Sequence, residues 1–243
     1  KAVVKLSDDD TVLMQFIINA LIKSEPDLIN RIKIVNRLVN IDAVIATGSN
    51  NTSRYFEYYF GKYPHIIRKN RNSVAIINGS ESKEQLIQLG KDIFSFFGLG
   101  CRNVSKIFVP KGYSFDLFFE AMMPHASVMD HNKYMNNFDY HQAIYLLDNE
   151  PFLTNNFLIV KQSTSFSSPV AVIHYEYYNK LTELTGFIKN DEFNGKKILD
   201  QLQCIVTDTN LELPHIPFGT SQLPAVDDYA DGVDTMKFLS NLI

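Results

Sequence analysis

The chain has 243 residues, 45% of them hydrophobic and 21% charged, which is the composition of a globular protein with an apolar core. Its formal net charge of −4 argues against a nucleic-acid-binding surface, because such surfaces need clustered lysine and arginine. Two cysteines are too few for a disulfide framework, so we expect a reducing, cytoplasmic compartment, and we expect neither a signal peptide nor a membrane span, since no apolar run approaches the necessary length.

Segments with strand and helix patterns alternate along the chain. Ser7 and Asp10 form a capping-box-like start for the first helix, and Pro26 starts the second. In chain order, we predict a strand over 1–5, helices over 11–23 and 27–38, a strand over 42–46, a helix over 52–60, a strand over 74–77, a helix over 82–97, a strand over 106–109, helices near 113–122 and 131–147, strands near 157–162 and 170–176, a helix near 178–188 and a strand near 202–207. This alternation predicts an α/β fold with mainly parallel sheets and helices on both faces.

The first candidate site is the turn at Gly48-Ser49. The buried strand over 42–46 leads through this turn into the helix over 52–60, which begins with hydroxyl and amide caps. Such a turn presents free backbone N–H groups and the positive end of a helix dipole, where a phosphate or a cofactor ring can bind. The alternative is an ordinary turn between a strand and a helix.

The second candidate site is Cys101, which follows Gly98-Leu99-Gly100 and precedes Arg102. The thiolate is the nucleophilic form of cysteine, and a positive neighbour such as Arg102 favours it. Glycines let a substrate approach the backbone closely. The alternative is a small, inert apolar residue, which is also our interpretation of Cys204 in the apolar run 203–206.

We predict no metal site. His125 and His131 flank Asp130, but they lack a third ligand at a suitable spacing. A loop or a helix cap is the interpretation we prefer for these histidines.

Together, the turn and the cysteine resemble the aldehyde dehydrogenase superfamily. In that superfamily a Thr-Gly-Ser turn beside the nicotinamide precedes a nucleophilic cysteine in a Gly-x-x-Cys context, and here Gly48 and Cys101 are 53 residues apart. The opening Val3-Val4-Lys5-Leu6-Ser7-Asp8 is similar to the strand of the superfamily that ends in Lys-Pro-Ser-Glu and holds the adenosine ribose. The chain looks most like the bioluminescence-type fatty-acyl-CoA reductases, through the phrases Ala46-Thr47-Gly48-Ser49-Asn50, Asn132-Lys133-Tyr134-Met135-Asn136-Asn137, Gln203-Cys204-Ile205-Val206, Phe218-Gly219-Thr220-Ser221-Gln222-Leu223-Pro224 and Asp227-Asp228-Tyr229-Ala230-Asp231-Gly232-Val233-Asp234-Thr235-Met236.

The resemblance implies an aldehyde-dehydrogenase-like fold over essentially the whole chain. Residues 1–62 would form part of the dinucleotide-binding domain, and residues 63–243 would form the catalytic domain that carries the cysteine. It also implies that an N-terminal section, with the first nucleotide-binding strand and an asparagine that helps to bind the oxyanion, is missing before Lys1.

The resemblance further implies an acyl-CoA reductase that forms a fatty aldehyde. Cys101 would attack the thioester carbonyl, expel CoA and become an acyl-cysteine, and hydride from a reduced nicotinamide held against Gly48 and Ser49 would release the aldehyde. The implied cofactor is NADPH, with NADH left open. Lys5 and Ser7 would hold the adenosine ribose or its phosphate, and Phe218 would pack either against the nicotinamide or in the core.

Two departures from the superfamily pattern are visible. The glutamate that activates water in aldehyde-oxidising members would fall within residues 65–69, where this chain has no carboxylate, and this favours the reductive direction. His65 is the nearest titratable group and could take the proton of the Cys101 thiol, or it could be a surface side chain. Ile216 replaces a glutamate that contacts the nicotinamide ribose.

Two other function classes stay open. A cysteine acyltransferase or thioesterase would form the same acyl-cysteine without a nicotinamide, and a non-catalytic subunit would keep only the fold. The expected partner is an acyl-CoA substrate, while a homo-oligomer, an acyl-transfer partner and the length of the acyl chain are not fixed by the sequence.

Overall fold

The computed structural model describes residues 1–7, 10–48, 50–69 and 71–242. The chain divides into two compact units, which we call unit 1 (Lys1–Lys69 with Leu242) and unit 2 (Asn70–Asn241). The strands and helices of unit 1 are, in order, β1 (Ala2–Val4), α1 (Leu13–Ser24), β2 (Ile32–Ile34), β3 (Val44–Thr47), α2 (Asn50–Phe60) and β4 (His65–Arg68).

Unit 1 consists of two strand–helix–strand segments. β1 pairs with β2 in parallel, from Ala2 opposite Ile32 to Val4 opposite Ile34. β3 pairs with β4 in parallel in the same way. Parallel neighbours need a crossover connection, which α1 and α2 supply.

The predicted helix over 27–38 is wrong. The chain forms a short 3-10 helix (Pro26–Asn30) and then β2. Ile32 and Ile34 are β-branched residues on either side of a lysine, a pattern that suits a strand, and the backbone of β1 is the partner that selects it. The partner is distant in sequence, so the local spacing of apolar residues pointed to the wrong structure.

The boundary between the units also differs from the prediction. It falls after Lys69, whereas we expected residues 1–62 and 63–243. The boundary lies later in the chain because all four residues of β4 pair with β3, which places β4 in unit 1. The roles assigned to the two domains stay predictions.

Unit 2 contains the large sheet of the protein. Its elements are β5 (Asn72–Ile76), α3 (Lys83–Phe94), β6 (Val104–Pro110), α4 (Asp116–Met122), α5 (Asn132–Leu147), β7 (Leu153–Thr154), β8 (Ile159–Gln162), β9 (Val172–Tyr178), α6 (Leu181–Asn190), β10 (Glu192–Phe193), β11 (Lys196–Lys197), α7 (Ile198–Gln201), β12 (Leu202–Val206) and α8 (Thr235–Ser240). Six strands form the sheet in the order β12-β5-β6-β9-β8-β7, and every pair is parallel except β7 with β8. The short β10–β11 hairpin was not predicted.

The central strands of this sheet are buried on both faces. Ala75 of β5 and Ile107 of β6 face one apolar cluster, with α3, α4 and α5, while Val74 and Phe108 face the other, with α6 and α7. This alternation is the period-two geometry of a strand. The predicted α/β fold with a mainly parallel sheet and helices on both faces is therefore confirmed.

None of the described helices is both long and apolar enough to cross a membrane.

Candidate active site

The helix α3 leads into the loop that carries Cys101. At its amino end the Ser82 hydroxyl accepts a hydrogen bond from the Gln85 N–H, and the Gln85 side chain accepts one from the Ser82 N–H. This reciprocal cap fixes the first turn of the helix. Leu89 and Ile93 lie on the buried face of the helix and belong to the apolar cluster on this side of the sheet.

Between α3 and Cys101 the backbone adopts a left-handed conformation at three consecutive residues. The φ angles are 52° at Phe96, 60° at Phe97 and 74° at Gly98. A bulky residue in this region costs about 1–3 kcal/mol, so packing or hydrogen bonds nearby must hold it there. Part of that support is a stacking contact between the rings of Phe97 and His131, whose centroids are 3.9 Å apart.

The side chain of Asn103 ties this loop to the end of α3. Its Oδ1 accepts a hydrogen bond from the Gly100 N–H at 2.8 Å, and its Nδ2 donates to the carbonyl oxygens of Asp92 and Ser95, both at 2.9 Å. Asn103 is only 3% exposed. It therefore satisfies carbonyl groups at the helix end, which have no partner within the helix, and fixes the residue before Cys101.

Ser73 holds the backbone of Cys101 from the neighbouring strand β5. Its hydroxyl donates to the Cys101 carbonyl oxygen at 3.0 Å. The Cys101 side chain is exposed, and within the described part of the chain no hydrogen bond uses its N–H. An exposed thiol beside an unused N–H is what a cysteine nucleophile with an oxyanion donor requires.

Arg102 connects the same loop to the C-terminal segment. Its Nε donates to the Ser221 carbonyl oxygen, and its Nη2 lies 3.2 Å from the Asp228 carboxylate. The positive charge predicted to lie beside Cys101 is therefore paired with an acidic side chain.

A buried carboxylate on α3 anchors the C-terminal segment a second time. Asp92 is 1% exposed, and its oxygens accept hydrogen bonds from the N–H groups of Gly219 and Ser221. Burial raises the pKa of Asp92, and these two hydrogen bonds oppose the rise. Phe218, the preceding residue, is buried in the apolar cluster next to α3. The core position for Phe218 is thus the observed one, and little of its surface remains for contact with a nicotinamide ring.

The second cysteine differs from the first in burial. Cys204 is buried on β12, and burial raises the pKa of its thiol against the opposing effects of Arg102 and a hydrogen bond with Ser73. This is the environment of an unreactive thiol. The prediction that Cys204 lies in an apolar, structural position agrees with this burial.

The two histidines near α5 have structural partners. The ring of His131 accepts a hydrogen bond from the Tyr134 N–H and caps α5. His125 lies against α3, where its ring is so close to Gly90 that a side chain there would collide with it, and it stacks on Phe94. The helix cap that we preferred for His131 is therefore observed, and His125 packs against α3.

The strand–turn–helix predicted at Gly48 is present in unit 1, as β3 and α2. Gly48 donates its N–H to the Arg68 carbonyl oxygen. A Cβ at Gly48 would lie 2.9 Å from the Thr52 side chain, so glycine also lets α2 start close to β3. Ser49 lies outside the described residues.

Lys5 and Ser7 follow the carboxyl end of β1 and are both exposed. The Lys5 ammonium group lies 3.5 Å from the Leu6 carbonyl oxygen, and the Ser7 carbonyl accepts a hydrogen bond from the Asp10 N–H. The carboxyl end of a parallel strand is where α/β folds bind ligands. In the first turn of α1 the Asp10 carboxylate accepts a hydrogen bond from the Leu13 N–H.

His65 begins β4, opposite Val44, whereas Gly48 follows the other end of the same strand pair. Gly48 lies four residues beyond Val44, which along a strand is about 13 Å. The His65 ring is exposed, and its Nδ1 lies 2.8 Å from the Tyr63 carbonyl oxygen. Unit 1 therefore does not bring His65 and the Gly48 turn together.

The predicted site residues are divided between the units: Lys5, Ser7, Gly48 and His65 belong to unit 1, and Cys101 and Phe218 belong to unit 2. Three residues that hold the Cys101 loop and the C-terminal segment were not predicted: Ser73, Asp92 and Asn103. Only Asp92 left a signal, because it falls among the apolar positions of the buried face of α3.

No protein-family model matches the sequence, and no curated protein sequence matches it. The fold matches solved aldehyde dehydrogenases. Methylmalonate-semialdehyde dehydrogenase (DddC) from Oceanimonas doudoroffii is similar with a TM-score of 0.63 and 14% identity, over 86% of this chain and 51% of that chain. A mutant of betaine aldehyde dehydrogenase (BetB) from Staphylococcus aureus gives a TM-score of 0.58 and 13% identity, over 84% and 53%. The chain thus has an aldehyde-dehydrogenase-like fold and spans about half the length of these enzymes.

Proposed function

We propose that this chain carries the nucleophile of an acyl-CoA reductase of the bioluminescence type, which forms a fatty aldehyde through an acyl-cysteine at Cys101. The observation that carries the proposal is the state of Cys101: an exposed thiol with an unused backbone N–H, in a loop fixed by Asn103 and Ser73. The aldehyde-dehydrogenase-like fold also supports the proposal. A thiol is a suitable nucleophile for acyl chemistry.

In the first step the Cys101 thiolate attacks the carbonyl carbon of the acyl thioester. The new carbon–sulfur bond forms as the bond to the CoA sulfur breaks, and CoA leaves as a thiolate that takes up a proton. Negative charge develops on the carbonyl oxygen, where the Cys101 N–H can donate a hydrogen bond. One such donor is worth about 10²–10³ in rate, and Ser73 and Asn103 hold the peptide that presents it.

The turn between β3 and α2 supports a nicotinamide nucleotide as cofactor. α2 begins at the carboxyl end of a parallel strand, and such an edge suits a nucleotide. Lys5, Ser7, Gly48 and Ser49 are the residues we propose to hold it, with NADPH as the preferred form. When bound, the cofactor supplies the hydride that converts the acyl group into the aldehyde.

The proposed direction, from acyl thioester to aldehyde, rests on the residue types at positions 65–69. This segment, which includes β4, contains no carboxylate that could activate water against an acyl-cysteine. An acyl-enzyme that is not hydrolysed survives long enough to be reduced. The exposed position of His65 at the far end of β4 favours a surface role over that of the base for Cys101.

The test is oxidation of NADPH by the protein in the presence of a long-chain acyl-CoA. We expect NADPH loss and aldehyde formation to require acyl-CoA, to vanish in Cys101→Ser, and to persist in the surface variant Gln162→Leu. NADPH oxidation that continues in Cys101→Ser would refute the proposal. Acylation of Cys101 with turnover that does not need nicotinamide would instead indicate an acyltransferase or thioesterase, and an unreactive Cys101 without nucleotide binding would indicate a non-catalytic subunit.

A further inference from the structure

Residues 222–234 form an acidic segment on the surface of unit 2, which we call the acidic strap. It contains four aspartates and neither lysine nor arginine. Of the described residues 222–241 none is buried, and the side chains of Leu223 and Val226 are exposed. Because apolar burial contributes little here, the charged contacts of the strap decide where it lies.

Two ion pairs join the strap to one edge of the large sheet. Asp228 lies 3.2 Å from Arg102, and Asp231 lies 3.5 Å from Arg71. Arg71 directly precedes β5, Arg102 lies two residues before β6, and these strands are parallel neighbours. Both arginines therefore lie at the edge where the strands begin, which is also the edge that carries Cys101.

The start of the strap lies against the nucleophile loop itself. A Cβ at Gly100 would lie 3.9 Å from the side-chain nitrogen of Gln222. Just before the strap, the buried Asp92 accepts hydrogen bonds from the N–H groups of Gly219 and Ser221. The strap is thus anchored at its beginning and extends from there to its ion pairs.

The charges of Arg102 and Asp228 both reach a thiol near this edge. Burial raises the pKa of Cys204, the positive charge of Arg102 lowers it, and the negative charge of Asp228 raises it. Cys101 is adjacent to Arg102 in the chain, and its side chain is exposed. A positive charge near a cysteine favours the nucleophilic thiolate, and a carboxylate paired with that charge cancels much of the effect.

The two contacts of Arg102 allow the strap to move while the positive charge stays. Its Nε donates to the carbonyl oxygen of the buried Ser221, which lies before the strap. Its Nη2 bonds to the strap at Asp228, whose side chain is 45% exposed. An ion pair with an exposed partner contributes little to stability, so this one can open while unit 2 stays folded.

We propose that the acidic strap restrains Cys101 by neutralising the arginines beside it. With the strap in place, Arg102 and Arg71 are paired with aspartates, and little positive charge is left to act on the thiol. When the strap leaves this edge, the charge of Arg102 acts on Cys101 and favours the thiolate. The inference concerns the control of the nucleophile, and its role in catalysis rests on the proposed function.

The experiment compares alkylation of Cys101 by iodoacetate, an anion, and by iodoacetamide, which is neutral. Both rates are measured at neutral pH, and the adducts are located by peptide mapping. In Asp228→Asn the unpaired charge of Arg102 attracts the anionic reagent, so we expect the ratio of the iodoacetate rate to the iodoacetamide rate to rise by about two- to fivefold. Asp231→Asn should raise the ratio as well, and asparagine suits the left-handed φ of 62° at this position.

The matched control is Asp227→Asn. It removes the same charge from the next residue of the strap, but Asp227 forms no ion pair among the described residues, so the ratio should change by less than about 1.5-fold. In an Arg102→Leu background, Asp228→Asn should leave the ratio unchanged, because the charge that it frees is gone. A strap that only covered the thiol would change both alkylation rates equally and leave the ratio as it is.

The inference is overturned if the ratio in Asp228→Asn stays at the wild-type value, if Asp227→Asn raises it equally, or if the rise persists in the Arg102→Leu background. Single-turnover acylation by octanoyl-CoA, followed by intact mass, separates this result from the proposed function. If the ratio responds and acylation is faster in Asp228→Asn, both are supported. If the ratio responds but no variant is acylated, the proposed function fails and the strap still controls a reactive thiol. If Cys101 is acylated at the same rate in the wild type and in Asp228→Asn, only the inference fails.

Discussion

Replacing Asn103 by alanine tests how the nucleophile loop is held. Three short hydrogen bonds disappear, those to the Gly100 N–H and to the carbonyl oxygens of Asp92 and Ser95. At about 1 kcal/mol net for each, the free energy of unfolding falls by about 3 kcal/mol. For a unit of this size 1 kcal/mol corresponds to about 2–4 °C, so we expect the melting temperature to fall by about 6–12 °C.

The same substitution should also separate acyl chemistry from simple thiol reactivity. Alkylation of the exposed Cys101 by iodoacetamide needs no oxyanion donor, so its rate should stay close to that of the wild type. Acylation by an acyl-CoA needs the Cys101 N–H in place, and a loop released from Asn103 should lose about tenfold or more. Melting is followed by circular dichroism and both reactions by intact mass.

The matched control is Asn137→Ala. Asn137 lies on α5 and donates a single exposed hydrogen bond to the Lys133 carbonyl oxygen, so its loss should cost less than about 0.5 kcal/mol. If Asn103→Ala melts within about 2 °C of the wild type, or if alkylation and acylation fall in parallel, Asn103 does not hold the loop in this way.

Three more outcomes follow from individual environments. Because burial raises the pKa of Cys204, the unfolded chain releases the thiol proton at a lower pH than the folded chain. The contribution of Cys204 to stability is therefore present below the ordinary thiol pKa and is lost as the pH rises. Iodoacetamide at pH ~8 should label the exposed Cys101 well before the buried Cys204. Lys106 is fully buried, and its ammonium group lies 2.6 Å from the Glu176 carboxylate. In urea unfolding, Glu176→Gln should lower the free energy of unfolding by about 2 kcal/mol because it leaves a buried charge unpaired, while Lys106→Met should change it by less than about 1 kcal/mol. Equal losses in the two variants would contradict this. His65→Gln should leave NADPH oxidation near the wild-type rate, and a large loss would restore His65 as the base.

Local signals predicted much of unit 2. The start of α3 follows from Ser82 and Gln85, which cap the helix without help from distant residues. The buried strands β5 and β6 follow from short apolar runs, and their parallel order follows from the alternation with helices. Cys101 was predicted as the nucleophile from a motif of adjacent residues, and that role stays a prediction.

The elements and residues that were predicted wrongly or not at all depend on partners that are distant in the sequence or on backbone strain. β2 was predicted as a helix because its partner β1 lies in another part of the chain. Helix α3 was expected to continue to residue 97, but Phe96 and Phe97 have positive φ, which phenylalanine rarely adopts and no propensity predicts. The role of Asn103 depends on where α3 ends, so it appears only once the loop has folded back on the helix.

The central claim is that Cys101 takes up an acyl group from a thioester. The most direct measurement is the intact mass of the protein after mixing with an acyl-CoA, followed by peptide mapping. We expect a single acyl adduct, located on Cys101 and absent in Cys101→Ser. No adduct, or an adduct on Cys204, would contradict the account.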